Sequence, residues 1–194
     1  TGGSGFIGTN FINYVSKKKC KILNIDKISN ISTPEKFKKI YDIKRYKLLK
    51  YNLNDSNKIF NIINKFQPNH IINFAAESHV DRSINDPIYF IKNNINSATN
   101  LFYAYLKYFR KKKIKLFHIS TDEVYGSILK GEFKENDPYD PSSPYSASKG
   151  SADLIATSFN KTYGTKIKIL NLTNNYGPYQ FPEKFIPTLI SYFL

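Results

Sequence analysis

The chain has 194 residues, with 29 Lys and Arg against 15 Asp and Glu, a formal net charge of +14, and a length that suits one domain with a substantial core. Its single cysteine, Cys20, excludes a disulfide framework or a thiolate metal cluster. No apolar run approaches the ~18–20 residues of a membrane span, so a cytoplasmic protein with no membrane partner is expected.

The positive charge is dispersed, and runs such as Lys17-Lys18-Lys19 and Lys111-Lys112-Lys113 fall where predicted helices end and cations complement the helix dipole. No nucleic-acid-binding motif accompanies them, so no nucleic-acid partner is expected. Methionine is absent, and a glycine-rich stretch starts at residue 2 without the strand that normally precedes such a loop. The chain therefore reads as a fragment that lacks a first strand.

In chain order the predicted elements alternate. A glycine loop leads into a helix over Ile7–Lys18, followed by strands over Lys21–Asp26 and Tyr46–Asn52. A helix over Lys58–Phe66, a strand over His70–Ala76 and a long helix over Pro87–Arg110 come next. Then follow a strand over Ile114–Ser120, a helix over Ser146–Tyr163 and a strand over Lys166–Leu172. The strands are rich in Ile, Leu and Phe and most lack polar alternation, as in a parallel sheet buried on both faces. Strands alternating with helices predict an α/β fold, a Rossmann-type doubly wound parallel sheet. Residues 1–174 are expected to form the dinucleotide-binding domain and 175–194 the start of the substrate-binding region.

Gly2, Gly5 and Gly8 have the spacing of a tight strand-to-helix turn that lets the backbone approach a pyrophosphate and the helix pack closely. An acidic residue at a strand end about 20 residues further on supports that reading. Asp26, after Ile22-Leu23-Asn24-Ile25, fits it as an acceptor for the adenosine ribose, a strand-end cap being the alternative. A free carboxylate there disfavours a 2′-phosphate, so the expected cofactor is NAD.

Ser143-Pro144 reads as an N-cap followed by proline at the first helical position. Tyr145 and Lys149 then lie on one helix face. A phenol with an ordinary pKa near ~10 is a poor base at neutral pH, and a nearby lysine cation stabilises its phenolate. Asp122 and Glu123 follow the Ile114–Ser120 strand directly, and the carboxyl ends of parallel strands are where such sheets bind ligands. His118 reads as a core residue, and His79 could approach a ligand. No spacing suggests a metal site.

Five stretches together resemble the dTDP-glucose 4,6-dehydratase family of extended short-chain dehydrogenases/reductases: Thr1–Gly8, Ala75–Ser83, Ser120–Gly126, Pro141–Lys149 and Asn174–Tyr179. Related UDP-sugar epimerases and decarboxylases share the glycine loop and Tyr-x-x-x-Lys. They usually lack the Asp of Thr121-Asp122-Glu123. A non-catalytic NAD-binding protein is the alternative of another class.

The resemblance implies cofactor contacts from Gly2, Gly5, Phe6, Ile7, Gly8, Asp26, Lys27, Ile28, Ser29, Phe74, Ala75, Ala76, Glu77, Ser78, Tyr145, Lys149 and Asn175. Asn52 and Leu53 near the adenine, where the family usually has Asp-Ile, and Asn93, where it usually has Thr, belong to the same set. Ser78, Thr121, Asn174, Lys184 and Phe185 would touch the sugar nucleotide. The catalytic set would be Thr121, Asp122 as general acid, Glu123 as base on carbon, Tyr145 as base on the sugar hydroxyl, and Lys149. The implied activity is conversion of dTDP-glucose to dTDP-4-keto-6-deoxyglucose with recycled NAD, in deoxysugar nucleotide biosynthesis. The implied assembly is a homodimer built through helices equivalent to Pro87–Arg110 and Ser146–Tyr163.

Overall fold

The computed structural model describes residues 1–29, 32 and 44–194. The chain divides into two compact units, one of Thr1–Asn52 with Asn174–Leu194, the other of Leu53–Thr173.

In the first unit α1 (Phe6–Ser16) follows the glycine loop, and β1 (Ile22–Asp26) pairs in parallel with β2 (Tyr46–Lys50), Ile22 opposite Tyr46 and Asp26 opposite Lys50. Strand β2 stops two residues short of the predicted Asn52. Tyr51 N–H still donates to the Asp26 carbonyl at 2.9 Å, after which the chain leaves the ladder. Ile12 of α1 is buried against Ile22 and Tyr46. The unit ends in α6 (Phe185–Phe193), which the sequence reading did not anticipate.

The second unit is built on three parallel strands in the order β3 (His70–Asn73), β4 (Lys115–Thr121), β5 (Ile167–Leu172). Helix α2 (Ser56–Phe66) is capped by Asp55, whose carboxylate accepts the N–H groups of Asn57 and Lys58. Its apolar stripe buries Ile59 and Ile63, one turn apart. Helix α4 (Pro87–Phe109) starts with Asp86 as N-cap and proline in its first turn. Its Phe90, Asn94, Ala98, Leu101, Phe102 and Tyr105 recur at three- and four-residue spacing and are buried. The Tyr105 hydroxyl donates to the Ile114 carbonyl at 2.7 Å and accepts Lys166 N–H at 3.2 Å, joining the starts of β4 and β5 to α4.

Helix α5 (Pro144–Tyr163) packs along α4. It begins two residues before the predicted Ser146, because Ser143 and Ser146 form a reciprocal capping box with proline in the first turn. Gly164 closes it in the left-handed conformation, φ 62°. The predicted strand to Ala76 ends at Asn73, whose side-chain Oδ1 accepts Ala75 N–H at 3.2 Å and so turns the chain out of the sheet. Two short elements lacked a periodic signal: α3 (Val80–Asn85) and a 3₁₀ turn at Asp122–Tyr125.

Candidate active site

In the first unit the glycine loop is held from below by β1. Gly2 turns the chain at φ 67° and donates its N–H to the Ile25 carbonyl at 2.9 Å. A Cβ on Gly8 would lie 2.5 Å from the Gly2 carbonyl oxygen and 2.6 Å from Gly3 Cα, so helix and loop touch there through backbone alone. A Cβ on Gly5 would meet nothing nearer than 3.5 Å, which leaves the loop's approach face clear. Gly5 is the N-cap of α1, with no capping side chain and no acidic residue in the first turn. Phe6 and Ile7 open that turn, half-buried.

Two polar residues of β1 fix this loop, and the sequence reading found only one. Asn24, buried within an apolar run, accepts Gly3 N–H at 2.9 Å and donates to Ser4 Oγ and to the Tyr46 hydroxyl, both at 3.0 Å. Asp26, 8% exposed, accepts Ser4 N–H on Oδ2 at 2.9 Å and Ile28 N–H on Oδ1 at 2.8 Å. Asp26 is thus the strand-end cap that was its alternative reading. Each carboxylate oxygen keeps a second lone-pair direction, so a ribose hydroxyl can still donate to it.

Beyond Asp26, Lys27, Ile28 and Ser29 are half-buried; Ile28 takes φ 56°, costly for a β-branched residue. Asn52 is exposed at the end of this segment. Among residues 174–194, Asn174 and Asn175 are exposed, and the Asn175 carbonyl accepts Gln180 Nε2 at 3.1 Å. Lys184 is the N-cap of α6 and Phe185, its first residue, is 75% exposed.

The second unit gathers the chemical groups. Thr121 ends β4 and caps the 3₁₀ turn, its Oγ1 accepting Glu123 N–H at 3.3 Å and facing Asp122 Oδ1 at 3.4 Å. Gly126 closes the turn at φ 91°, where a Cβ would strike the Asp140 carbonyl at 2.5 Å. Asp122 and Glu123 are half-buried, Tyr145 and Lys149 buried. Tyr145 N–H donates to Ser83 Oγ at 3.1 Å, tying the start of α5 to α3. The Lys149 Nζ donates to the Ile119 carbonyl at 2.6 Å, so α5 grips β4 two residues before Thr121.

The electrostatics depart from the sequence expectation. Burial, then the negative charge of Glu123, pushes the Tyr145 phenol well above its ordinary value, with Asp122 and Asp153 adding to the effect and the Thr121 hydroxyl opposing it. Burial lowers the Lys149 ammonium to about 8, against the opposing pull of Asp153. A lysine whose Nζ is engaged at the Ile119 carbonyl does not by itself outweigh two carboxylates and desolvation at the phenol.

Residues Phe74–Ser78 leave β3 half-buried to exposed. Besides Asn73, they are held by Asn94, which the sequence reading passed over in favour of its half-buried neighbour Asn93. Asn94 accepts Glu77 N–H at 2.8 Å and donates to the Glu77 carbonyl at 3.0 Å and to Ser148 Oγ of α5 at 2.9 Å. The Tyr89 hydroxyl donates to Glu77 Oε1 at 3.1 Å. Leu53, 5% exposed, packs in the core, and its carbonyl accepts Asn100 Nδ2 at 3.1 Å. His79 serves as N-cap of α3, accepting Arg82 N–H at 3.4 Å. His118 is a core residue at 1% exposure.

A parallel α/β fold with a glycine cradle at a helix start and a Tyr-x-x-x-Lys helix after the strand bearing Thr-Asp-Glu defines an extended short-chain dehydrogenase/reductase. The family model described as GDP-mannose 4,6 dehydratase matches residues 1–194, and the chain belongs to that family. It is 42% identical to a probable dTDP-glucose 4,6-dehydratase of Sinorhizobium fredii over 98% of this chain and 56% of that protein. The chain thus spans little more than half the length of the curated relatives it matches. A crystal structure of a dTDP-glucose 4,6-dehydratase double mutant from Streptomyces venezuelae, with NAD and DAU bound, superposes with a TM-score of 0.91 at 31% identity, covering 99% of this chain and 60% of that one. The Thermus thermophilus UDP-glucose 4-epimerase in complex with NAD gives 0.84 at 27% identity, covering 98% and 59%.

Proposed function

We propose that the full-length protein dehydrates a nucleoside-diphosphate hexose, with dTDP-glucose as substrate and dTDP-4-keto-6-deoxyglucose as product. The observation that carries this reading is the pair Asp122 and Glu123 on a 3₁₀ turn at the end of β4, both acting electrostatically on the Tyr145 phenol. Hydride transfer at C4 needs only the phenol and the positive charge that supports it. Elimination of water next to a carbonyl needs two further groups, one to take a proton from carbon and one to give a proton to oxygen.

The residues present suit NAD. The uncapped start of α1 and the clear face at Gly5 suit a pyrophosphate, and the Asp26 carboxylate suits a ribose diol while disfavouring a 2′-phosphate. Gly2, Gly8, Phe6, Ile7 and Lys27–Ser29 would line that half of the cofactor, with Asn52 and Asn175. By the family resemblance, Phe74–Ser78, Asn93, Tyr145 and Lys149 would be cofactor contacts as well. When bound, NAD supplies a cationic hydride acceptor that is restored within each turnover.

Tyr145 accepts the proton of the sugar 4-hydroxyl as C4 is oxidised, and positive charge around the phenol must first offset the burial and carboxylate effects described above. The 4-keto group acidifies the C5 proton, which Glu123 removes. Asp122 gives a proton to the departing C6 hydroxyl, which leaves as water, and C5 regains a proton when C6 is reduced. Ser78, Thr121, Asn174, Lys184 and Phe185 contact the sugar nucleotide.

The large apolar side chains exposed on α4 and α5, Ile88, Tyr103, Leu154 and Tyr163, support a homodimer through these helices. No helix among the described residues is long and apolar enough to cross a membrane, and a cytoplasmic location belongs to the same proposal. Incubating the full-length protein with dTDP-glucose and UDP-glucose and weighing the products tests the reading. Loss of one water supports dehydration, a new sugar nucleotide of unchanged mass resolved by chromatography supports an epimerase, loss of carbon dioxide from a UDP-hexuronate offered in parallel a decarboxylase, and recovery of unaltered substrate alone a binding protein.

A further inference from the structure

Behind the catalytic helix lies a buried polar chain that the proposed reaction does not use. Asp153 sits on α5 four residues after Lys149, both facing the sheet, at 1% and 3% exposure. Its Oδ2 accepts the Ser120 hydroxyl at 2.5 Å and the Tyr139 hydroxyl at 3.4 Å. Its Oδ1 faces His118 Nε2 at 3.5 Å.

The tautomer of that histidine follows from its other neighbour. Ala75 N–H occupies Asn73 Oδ1 at 3.2 Å, so the Asn73 amide presents its NH₂ to His118 Nδ1 at 2.9 Å. Nδ1 therefore accepts, and the ring proton sits on Nε2, the nitrogen on the Asp153 side of the ring. Burial, with the charge of Lys149 added, holds His118 well below its ordinary pKa, so the ring is neutral. One carboxylate thus binds the residue before Thr121 through Oδ2, while its Oδ1 and His118 Nε2 lie 3.5 Å apart without a hydrogen bond.

We infer that Asp153 is a positioning residue for the reaction: it pins the catalytic helix to β4 and supplies the counter-charge that keeps the buried Lys149 a cation. This inference rests on the proposed role of Tyr145 and Lys149. Two buried charges of opposite sign on one helix face, one turn apart, each favour the other's ionised form. Asp153 is the charge that raises the pKa of Lys149, and burial carries Asp153 up to about 6 even though Ser120 and Lys149 pull it down. The remaining groups facing Asp153 are neutral: Ser120 and His118 of β4, Asn171 of β5, Tyr139, and Tyr125 of the 3₁₀ turn. On Tyr145 itself Asp153 acts weakly and in the opposite sense, ranking behind Glu123 and Asp122. Its effect is therefore to be sought at the lysine.

The test uses the full-length NAD-loaded protein with ¹³C-labelled lysine, the Lys149 signal being assigned with Lys149→Arg. Asp153→Asn is expected to lower the Lys149 titration midpoint by about one pH unit or more, a tenfold change in proton affinity, and to move the alkaline limb of kcat/KM down by the same amount. Tyr139→Phe removes a hydrogen bond but keeps the carboxylate, and both midpoint and limb should stay in place. Should Asp153→Asn fail to fold, the unaltered protein carries the test: its Lys149 signal should show a second inflection where Asp153 titrates. An unmoved Lys149 midpoint in Asp153→Asn, or a single inflection in the unaltered protein, overturns the counter-charge role. Absence of any sugar-nucleotide turnover by the unaltered protein would instead refute the proposed function, and the lysine titration would still read the Asp153 coupling.

Discussion

The side chain of Asn94 holds both backbone polar atoms of Glu77, accepting its N–H at 2.8 Å and donating to its carbonyl at 3.0 Å, and also donates to Ser148 at 2.9 Å. One buried amide on α4 thereby sets the loop after β3 and the face of α5 that carries Tyr145. An unpaired buried polar group costs about 1–3 kcal/mol, and Asn94→Ala removes the side-chain hydrogen bonds to both backbone atoms of half-buried Glu77, so a loss of about 1–3 kcal/mol in unfolding free energy is expected. NAD affinity should fall with it. Denaturant titration with and without NAD reads both, and an Asn94→Ala protein as stable as the parent would show that the amide does not organise this loop.

The glycine loop separates two functions that sequence spacing merges. At Gly8 an added Cβ meets backbone at 2.5 Å and 2.6 Å, which cannot swing aside, so Gly8→Ala should destabilise the protein and abolish tight NAD binding together. At Gly5 the nearest atom is 3.5 Å away and φ is −77°, ordinary for any residue. Gly5→Ala should therefore keep the parent's melting temperature while weakening NAD binding roughly tenfold or more by obstructing the pyrophosphate. Calorimetry of both variants decides the point; equal loss of stability would put the steric conflict in the fold at both sites.

Much of this architecture is legible in the chain because its signals are local. Runs such as Ile22–Ile25 and Leu116–Ile119 announce buried strands, and Ser143-Pro144 announces a helix start. The polar residues that hold the site together carry no such mark. Asn24 interrupts an apolar run, Asn94 adjoins the more conspicuous Asn93, and Asp153 lies among small residues of α5. Each acquires its role from a partner 17 to 33 residues away, a distance that periodicity does not span. An Asp one turn past the lysine of a Tyr-x-x-x-Lys helix was the available clue to the third. The 3₁₀ turn at Asp122–Tyr125 is too short to have a period at all.

The buried ammonium of Lys149 makes stability depend on pH in a definite direction. Its folded-state pKa is about 8 against an ordinary 10.5, so between these values the unfolded chain binds more protons than the folded one. Stability must then rise with pH across that window and be lost again as pH falls toward 8. The span corresponds to about 3 kcal/mol as an upper figure. Comparing apo protein with Lys149→Met removes the titration of every other group to first order. The difference in unfolding free energy should shift in favour of the parent between pH 8 and 10; a constant difference would mean that Lys149 is not desolvated in the folded state.

The proposed division of labour between Asp122 and Glu123 is open to separation by isotope. Deuterium from solvent enters C5 only if a base removes that proton, so Glu123→Gln should abolish C5 exchange and turnover alike. Asp122→Asn keeps the base and lacks the acid, so it should still exchange C5 while expelling little or no C6 hydroxyl. Each loss should be on the order of 10²-fold or more in kcat, the usual size of a lost general acid or base. Both carboxylates are half-buried on a turn fixed by Thr121 and Gly126, so neither substitution should disturb folding or NAD binding. Mass spectrometry of the recovered sugar nucleotide after incubation in D₂O distinguishes the cases. If Asp122→Asn loses exchange and Glu123→Gln keeps it, the two roles are reversed; if both keep full turnover, water is expelled by groups outside this turn.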